Sequence, residues 1–245
     1  MDVIGVIPAR YGSTRLAAKA LADILGKPMI QHIYERAKEA SVLDEIIIAT
    51  DDERIKNAVD EFGGKAVLTS REHISGTERL TEVVFDLDVK VVVNIQGDEP
   101  LINPAMINDV AYSLLENPKL VMSTLKHRIT NPDDLNNPNV VKVVTDKNNF
   151  ALYFSRSCIP NTLRKKEGIQ FTHYKHLGIY AYTKDFLLTF KGLKTSRLEE
   201  VESLEQLRAL EHGYAIKVIE TKYDTISVDT EEDLNKVITA LKKAE

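Results

Sequence analysis

Short, wholly apolar runs alternate with amphipathic stretches through the first half of this 245-residue chain, and that alternation limits the possible folds more than any other feature. Val3 to Ile7 is one run, stopped by Pro8; Asp44 to Thr50 (DEIIIAT), Lys65 to Thr69 and Lys90 to Ile95 (KVVVNI) are others. Between them Ile55, Ala58, Val59 and Phe62 recur at helical spacing behind Asp51 in the N-cap position, and Gly63-Gly64 stops the helix. Gly76 to Leu87 reads as helix. Asn103 caps another, with Pro104 in its first turn and Met106, Ile107, Val110, Ala111, Leu114 and Leu115 on one face. A strand apolar at every position is buried on both faces, so a parallel sheet covered by helices on each side is expected. Ligands on such sheets bind beyond the carboxyl ends of the strands. That singles out residues 8–19, 50–53, 70–79 and 96–102.

After about residue 120 the pattern turns antiparallel. Val140 to Val144 and Phe150 to Phe154 flank the turn-rich Thr145–Asn149 and read as a hairpin, and Lys175 to Tyr182 is a further strand. Residues 161–170 are polar and read as a loop. Ser196 with Glu199 forms a capping box that opens a helix to Gly213, Tyr214 to Glu220 is a strand, and a helix from about Thr230 to Ala244 closes the chain. The expected class is α/β with a mixed, mainly parallel sheet and an antiparallel insertion, in one domain over 1–245.

Charge narrows the partners. With 32 basic and 37 acidic residues, a net charge of −5 lacks the surplus that non-specific nucleic-acid binding needs. A local basic cluster can still hold a small anion. No apolar run reaches membrane-span length, and no secretory leader is evident. The single cysteine, Cys158, excludes an internal disulfide or a Cys-based zinc site and suits a cytoplasmic protein; its expected role is that of a small packed residue.

Five groups could carry chemistry. The first loop places Arg10, Arg15 and Lys19 beside Gly12 and two hydroxyls, directly after the first strand. Exposed amides with Arg and Lys are what a polyphosphate needs, and neither a Walker A loop nor a dinucleotide fingerprint is present. Gln96-Gly97-Asp98-Glu99-Pro100 follows the KVVVNI strand; Asp98 suits either Mg²⁺ or a cap. Asp229 or Thr230 reads first as an N-cap, with Asp229 open to a metal role if its loop meets Asp98. Ser75 to Arg79 could hold a nucleoside or form an S-x-x-E cap. Arg156, His176, Glu205 and Gln206 form a scattered fifth group: an Arg at a strand end, a His within a strand, and two polar residues on a helix.

These motifs keep one order: IPARYGSTRL at 7–16, ATDDERI at 49–55, SGTERL at 75–80, NIQGDEPLI at 94–102, NPNVVKVV at 137–144, YFSRSCIP at 153–160, YKHLGIYAY at 174–182, LEQLRALEHGY at 204–214 and SVDTEEDL at 227–234. In that order the chain resembles the 3-deoxy-manno-octulosonate cytidylyltransferase (CMP-Kdo synthetase) family over nearly its whole length. The resemblance implies a three-layer, Rossmann-like nucleotide-diphospho-sugar transferase fold, a homodimer with a dimerisation and sugar-binding sub-region at about 120–190, and Mg²⁺-dependent transfer of CMP from CTP to Kdo for lipopolysaccharide synthesis. Carried over by position, Arg10, Arg15 and Lys19 are the triphosphate contacts, and Asp98 and Asp229 the Mg²⁺ carboxylates. Ala9, Ser75, Arg79 and Gln96 are the nucleoside contacts. Arg156, His176, Glu205 and Gln206 form the sugar-acid pocket. The family's usual Leu-Pro-Gly-Lys-Pro-Leu is here Leu16-Ala17-Ala18-Lys19-Ala20-Leu21; Glu78 stands for a usual Asp and Cys158 for a usual Pro. Two other readings compete: transfer to another acidic sugar such as 8-amino-Kdo or a sialic acid, and a CTP-binding protein without catalysis.

Overall fold

The computed structural model describes residues 1–12, 16, 18–164 and 166–243. In chain order the elements are β1 (Val3–Ala9), a 3-10 turn at Lys19–Leu21, a small hairpin of β2 (Asp23–Ile24) and β3 (Lys27–Pro28), α1 (Met29–Lys38), β4 (Glu45–Thr50), α2 (Glu53–Glu61), β5 (Ala66–Leu68), α3 (Gly76–Val84), β6 (Val91–Asn94) and α4 (Pro104–Leu115). The second half holds β7 (Met122–Arg128), α5 (Asp133–Asn136), β8 (Lys142–Thr145), β9 (Ala151–Ser155), β10 (Tyr174–Thr183), α6 (Lys184–Gly192), α7 (Arg197–Glu202), α8 (Leu207–Glu211), β11 (Lys217–Thr221) and α9 (Glu231–Lys242).

The main sheet runs β11-β7-β10-β6-β1-β4-β5, with β8 and β9 attached through β10. Pairing is parallel between β1, β4, β5 and β6 and between β7 and β11. It is antiparallel where β10 lies between β6 and β7, and again in the β8–β9 hairpin. The sheet is therefore mixed, as the apolar runs imply. Along β1 the side chains alternate between two cores: Val3, Ile7 and Ala9 pack with α1, α2, α4 and α9, while Ile4 and Val6 pack with α3, α6 and α8. That two-residue period separates the three layers.

Because β10 is antiparallel to both neighbours, β7 and β11 point the same way as β1 and β6. The carboxyl ends of β1, β5, β6 and β11 and the amino end of β10 consequently share one edge of the sheet, and the loops that leave them meet there.

Several sequence expectations shift. Asp52, not Asp51, caps α2, accepting from the Arg54 amide at 3.0 Å. Thr230 caps α9 in a capping box with Asp233. The helix expected from Ser196 to Gly213 is two helices, broken at Ser203, whose φ is +52°. Glu205 and Gln206 therefore sit in the connection rather than on a helix. Cys158 is exposed instead of packed. Helices α1 and α6 and strand β7, which lies beside the edge strand β11, carry no distinct expectation from the sequence.

Candidate active site

The site is built from loops that the sheet edge brings together. Gly97 sets how closely they approach: a Cβ there would overlap the Pro8 carbonyl oxygen, so the QGD loop lies flat against the end of β1 only because residue 97 is glycine. The Val228 amide donates to the Asp98 carbonyl at 2.8 Å, tying the loop after β11 to the same place. Asp98 and Asp229 thereby face one another. Lys19 Nζ lies between them, 2.8 Å from Asp98 Oδ2 and 3.0 Å from Asp229 Oδ1. A cleft of about 460 Å³ opens around this bridge, lined by Ala9, Arg10, Arg79, Gln96 and the three bridge residues among others. Arg15 lies outside the described residues, as does Ala17.

Lys19 reaches the bridge from a strained turn. Ala18, just before it, has φ +51° and ψ +34°, the left-handed region that favours glycine, and its carbonyl accepts from Leu21 N at 2.7 Å. Next to Asp98, Glu99 is buried, and one of its carboxylate oxygens has no partner among the described residues. Burial, reinforced by the adjacent Asp98 charge, pushes its carboxyl up to about 8.

Arg79 projects from α3 into the cleft wall and is fully buried. Its guanidinium holds Thr69 Oγ1, and Asp51 Oδ2 at 3.1 Å. Ser75 is the N-cap of α3, accepting from Glu78 N at 3.2 Å, so the capping alternative describes its contacts. Gln96 lines the cleft and donates through Nε2 to the Gly178 carbonyl at 2.6 Å. That carbonyl lies where the β10–β7 register slips, which presents it to a side chain instead of a neighbouring strand.

The four residues of the fifth group do not line the cleft itself. Glu205 and His176 both act on Tyr180, on the strand whose Gly178 holds Gln96. Glu205 accepts from Thr77 Oγ1 at 2.5 Å, and its charge helps hold the Tyr180 and Tyr182 hydroxyls neutral, although their burial is the larger cause. Gln206 is buried with Nε2 unpartnered among the described residues. His176 packs edge-on to Phe154 at 4.9 Å and against Tyr180 at 5.3 Å. Its Nε2 lies 2.9 Å from Thr124 Oγ1, and that hydroxyl also contacts the Ile179 carbonyl at 2.7 Å. One hydroxyl proton cannot serve both, so it goes to the carbonyl and His176 Nε2–H donates to Thr124. Nδ1 is left as an acceptor, and burial drives the imidazole down to about 3. Arg156 differs: its guanidinium donates to the main-chain carbonyls of Glu202, Pro138 and Ser203.

Comparison with known proteins fits this geometry. A family model described as cytidylyltransferase matches residues 4–221. The chain belongs to the cytidylyltransferase family. Curated relatives named 3-deoxy-manno-octulosonate cytidylyltransferase match it end to end. The one from Geotalea uraniireducens is 53% identical over 251 residues, covering 99% of this chain and 100% of the relative. The one from Fusobacterium nucleatum is 50% identical over 244 residues, with 99% and 98% covered. A solved structure of CMP:2-keto-3-deoxy-manno-octonic acid synthetase complexed with CTP superposes with a TM-score of 0.94 at 42% identity, covering all of both chains. A 4-diphosphocytidyl-2C-methyl-D-erythritol synthase from Anaerococcus prevotii shares the fold alone, with a TM-score of 0.63 at 14% identity over 98% of each chain. The α/β cytidylyltransferase fold expected from the motifs is the fold found.

Sequence reading did not mark Asp51, Thr69 or Thr124 as parts of the site, and took Thr77 only as a member of the Ser75–Arg79 group. The ATDD motif contained Asp51, but its place before a helix assigned it to capping. Thr69 and Thr124 carry no local signal, and the Thr77 contact with Glu205 joins distant segments.

Proposed function

We propose that this cytidylyltransferase uses the cleft at the carboxyl edge to transfer CMP from CTP to the anomeric hydroxyl of 3-deoxy-D-manno-octulosonate (Kdo), giving CMP-Kdo and pyrophosphate for lipopolysaccharide assembly. The observation that carries the reading is the Lys19 bridge, in which one ammonium joins carboxylates from two distant loops inside a cleft also lined by Arg10 and Arg79.

The chemical problem is electrostatic. A sugar carboxylate and a highly charged triphosphate have to meet, with the 2-hydroxyl in line behind the α-phosphorus, so the protein supplies positive charge and alignment. Lys19 and Arg10 neutralise the triphosphate, joined by Arg15 on the motif's evidence. Ala9, Ser75, Arg79 and Gln96 receive the nucleoside. Asp98 and Asp229 suit Mg²⁺: they are hard oxygen donors converging on one cation position, and no cluster of three or more potential ligands occurs among the described residues. Two carboxylates plus phosphate oxygens form a common Mg²⁺ shell. The ion, when bound, would supply Lewis-acid polarisation of the phosphate. His176 Nδ1 offers an acceptor and Gln206 Nε2 a donor for sugar hydroxyls, and Glu205 is held by Thr77. Arg156 binds the sugar carboxylate by exchanging a main-chain carbonyl for it.

No helix among the described residues is long and apolar enough to cross a membrane. We place the enzyme in the cytoplasm, where CTP is available, and assign it a homodimer; exposed Leu152 and Val201 favour a covered face near the 120–190 sub-region. Pyrophosphate release from CTP and Mg²⁺, with and without Kdo, tests the function, with 8-amino-Kdo and a sialic acid as competing acceptors. CTP binding without pyrophosphate release with any sugar acid would overturn it.

A further inference from the structure

A guanidinium withdrawn from water needs partners for its charge and its donors. Arg79 is wholly buried, yet it finds partners on only one side. Thr69 Oγ1 accepts from Nη1; that hydroxyl donates in turn to the Thr50 carbonyl at 3.0 Å, which turns its lone pairs toward the arginine. Asp51 Oδ2 accepts from Nη2. Nε has no partner among the described residues, although the residue lines the cleft. The other charged groups acting on Arg79 are Glu82, which favours its charge, and Arg10, which opposes it. A buried guanidinium with a spare donor, in a cleft that Arg10 also lines, makes a receptor for an electron-rich group.

Asp51 controls that receptor from behind. Its second oxygen, Oδ1, lies 3.4 Å from the Tyr11 amide, in the loop that carries Arg10. One carboxylate thus touches both the first loop and Arg79. Because Asp52 takes over the helix cap, Asp51 is not needed for capping. Asp51 itself does not line the cleft.

We propose that Asp51, seconded by Thr69, is a positioning residue of the nucleotide site: it fixes the rotamer of Arg79 and the approach of the first loop, so that Arg79 Nε meets an oxygen or nitrogen acceptor of the nucleotide. This rests on the reading of the cleft as the CTP site. It separates the two substrates, because the partners of the Asp51 carboxylate are the Tyr11 amide and Arg79 and none of the sugar-acid residues.

The test is steady-state kinetics on D51N, which is isosteric but loses the charge and turns one of the two accepting oxygens into a donating NH2, with CTP affinity measured by calorimetry in the absence of Kdo. The expected result is a rise of tenfold or more in KM for CTP, a matching loss of CTP affinity, and kcat and KM for Kdo within twofold of the parent. Combined with R79K, D51N should add less than twofold to the effect of R79K alone, since both act through one contact. An unchanged KM for CTP, equal losses for both substrates, or multiplicative effects in the double variant would overturn the proposal. If D51N folds poorly by circular dichroism, the T69V and T69S pair carries the test: T69V should raise KM for CTP and T69S should not, and equal behaviour of the two overturns it. A parent enzyme that neither binds nor turns over CTP would instead overturn the functional reading.

Discussion

Replacing His176 with Gln should remove a specific sensitivity to acid. The imidazole is held neutral, with its pKa lowered to about 3 by burial against Phe154 and Tyr180, whereas in the unfolded chain it titrates near 6.5. Between those values the unfolded state binds more protons than the native state, so stability falls as pH drops below about 6.5. At pH 5 the cost is roughly 1.36 kcal/mol for each of about 1.5 pH units, or about 2 kcal/mol. His176 keeps some accessible surface, which trims this to roughly 1–2 kcal/mol. Glutamine retains a donor for Thr124 Oγ1 but does not titrate. In a domain of this size 1 kcal/mol moves the melting temperature by about 2–4 °C. The gap between parent and H176Q should therefore shift by about 2–8 °C in favour of H176Q between pH 7.5 and pH 5.0, measured by differential scanning calorimetry without ligand. Other titrating groups are common to both proteins and cancel in the comparison. A gap that stays constant across that range would refute the argument that the native ring is kept neutral.

Three further outcomes are expected. K19M should lower kcat/KM for CTP by at least about 100-fold, the scale of one lost electrostatic contact to the transferring group, while the melting temperature moves only a few degrees, because partly exposed ion pairs contribute about 1 kcal/mol or less. A18G removes roughly 1–2 kcal/mol of left-handed strain against about 0.5–1 kcal/mol of added chain entropy in the unfolded state; the melting temperature should rise by about 1–4 °C, and a fall would contradict the strain. G97A drives a methyl into the Pro8 carbonyl, so thermal melts should show a loss of about 1–3 kcal/mol together with weaker CTP binding.

The strands were legible wherever burial on both faces left an uninterrupted apolar run, as in KVVVNI and DEIIIAT. Helices α2 and α4 were legible through their spacing and caps. Strand β7 was not, because its sequence MSTLKHR mixes buried Ser123, Thr124 and Lys126 with apolar residues; their polar atoms are satisfied by Val110, Ile179, Thr145 and Asn149, all distant in the chain. The split of the helix after Ser196 was hidden for a related reason. The left-handed Ser203 looks like any helical serine in sequence, while the Glu202 and Ser203 carbonyls beside the break are engaged by Arg156.

Sequence alone determined the layered α/β class, the sheet edge at which the cleft opens, and the residue types assembled there, because hydrophobic period and loop chemistry are local properties. Only the tertiary structure decided which of those residues meet. Lys19, Asp98 and Asp229 converge because an antiparallel β10 turns β11 parallel to β1, and Asp51 serves Arg79 instead of a helix end because the chain places it behind the cleft. Such pairings depend on strand order and packing across the whole sheet, which no local window contains.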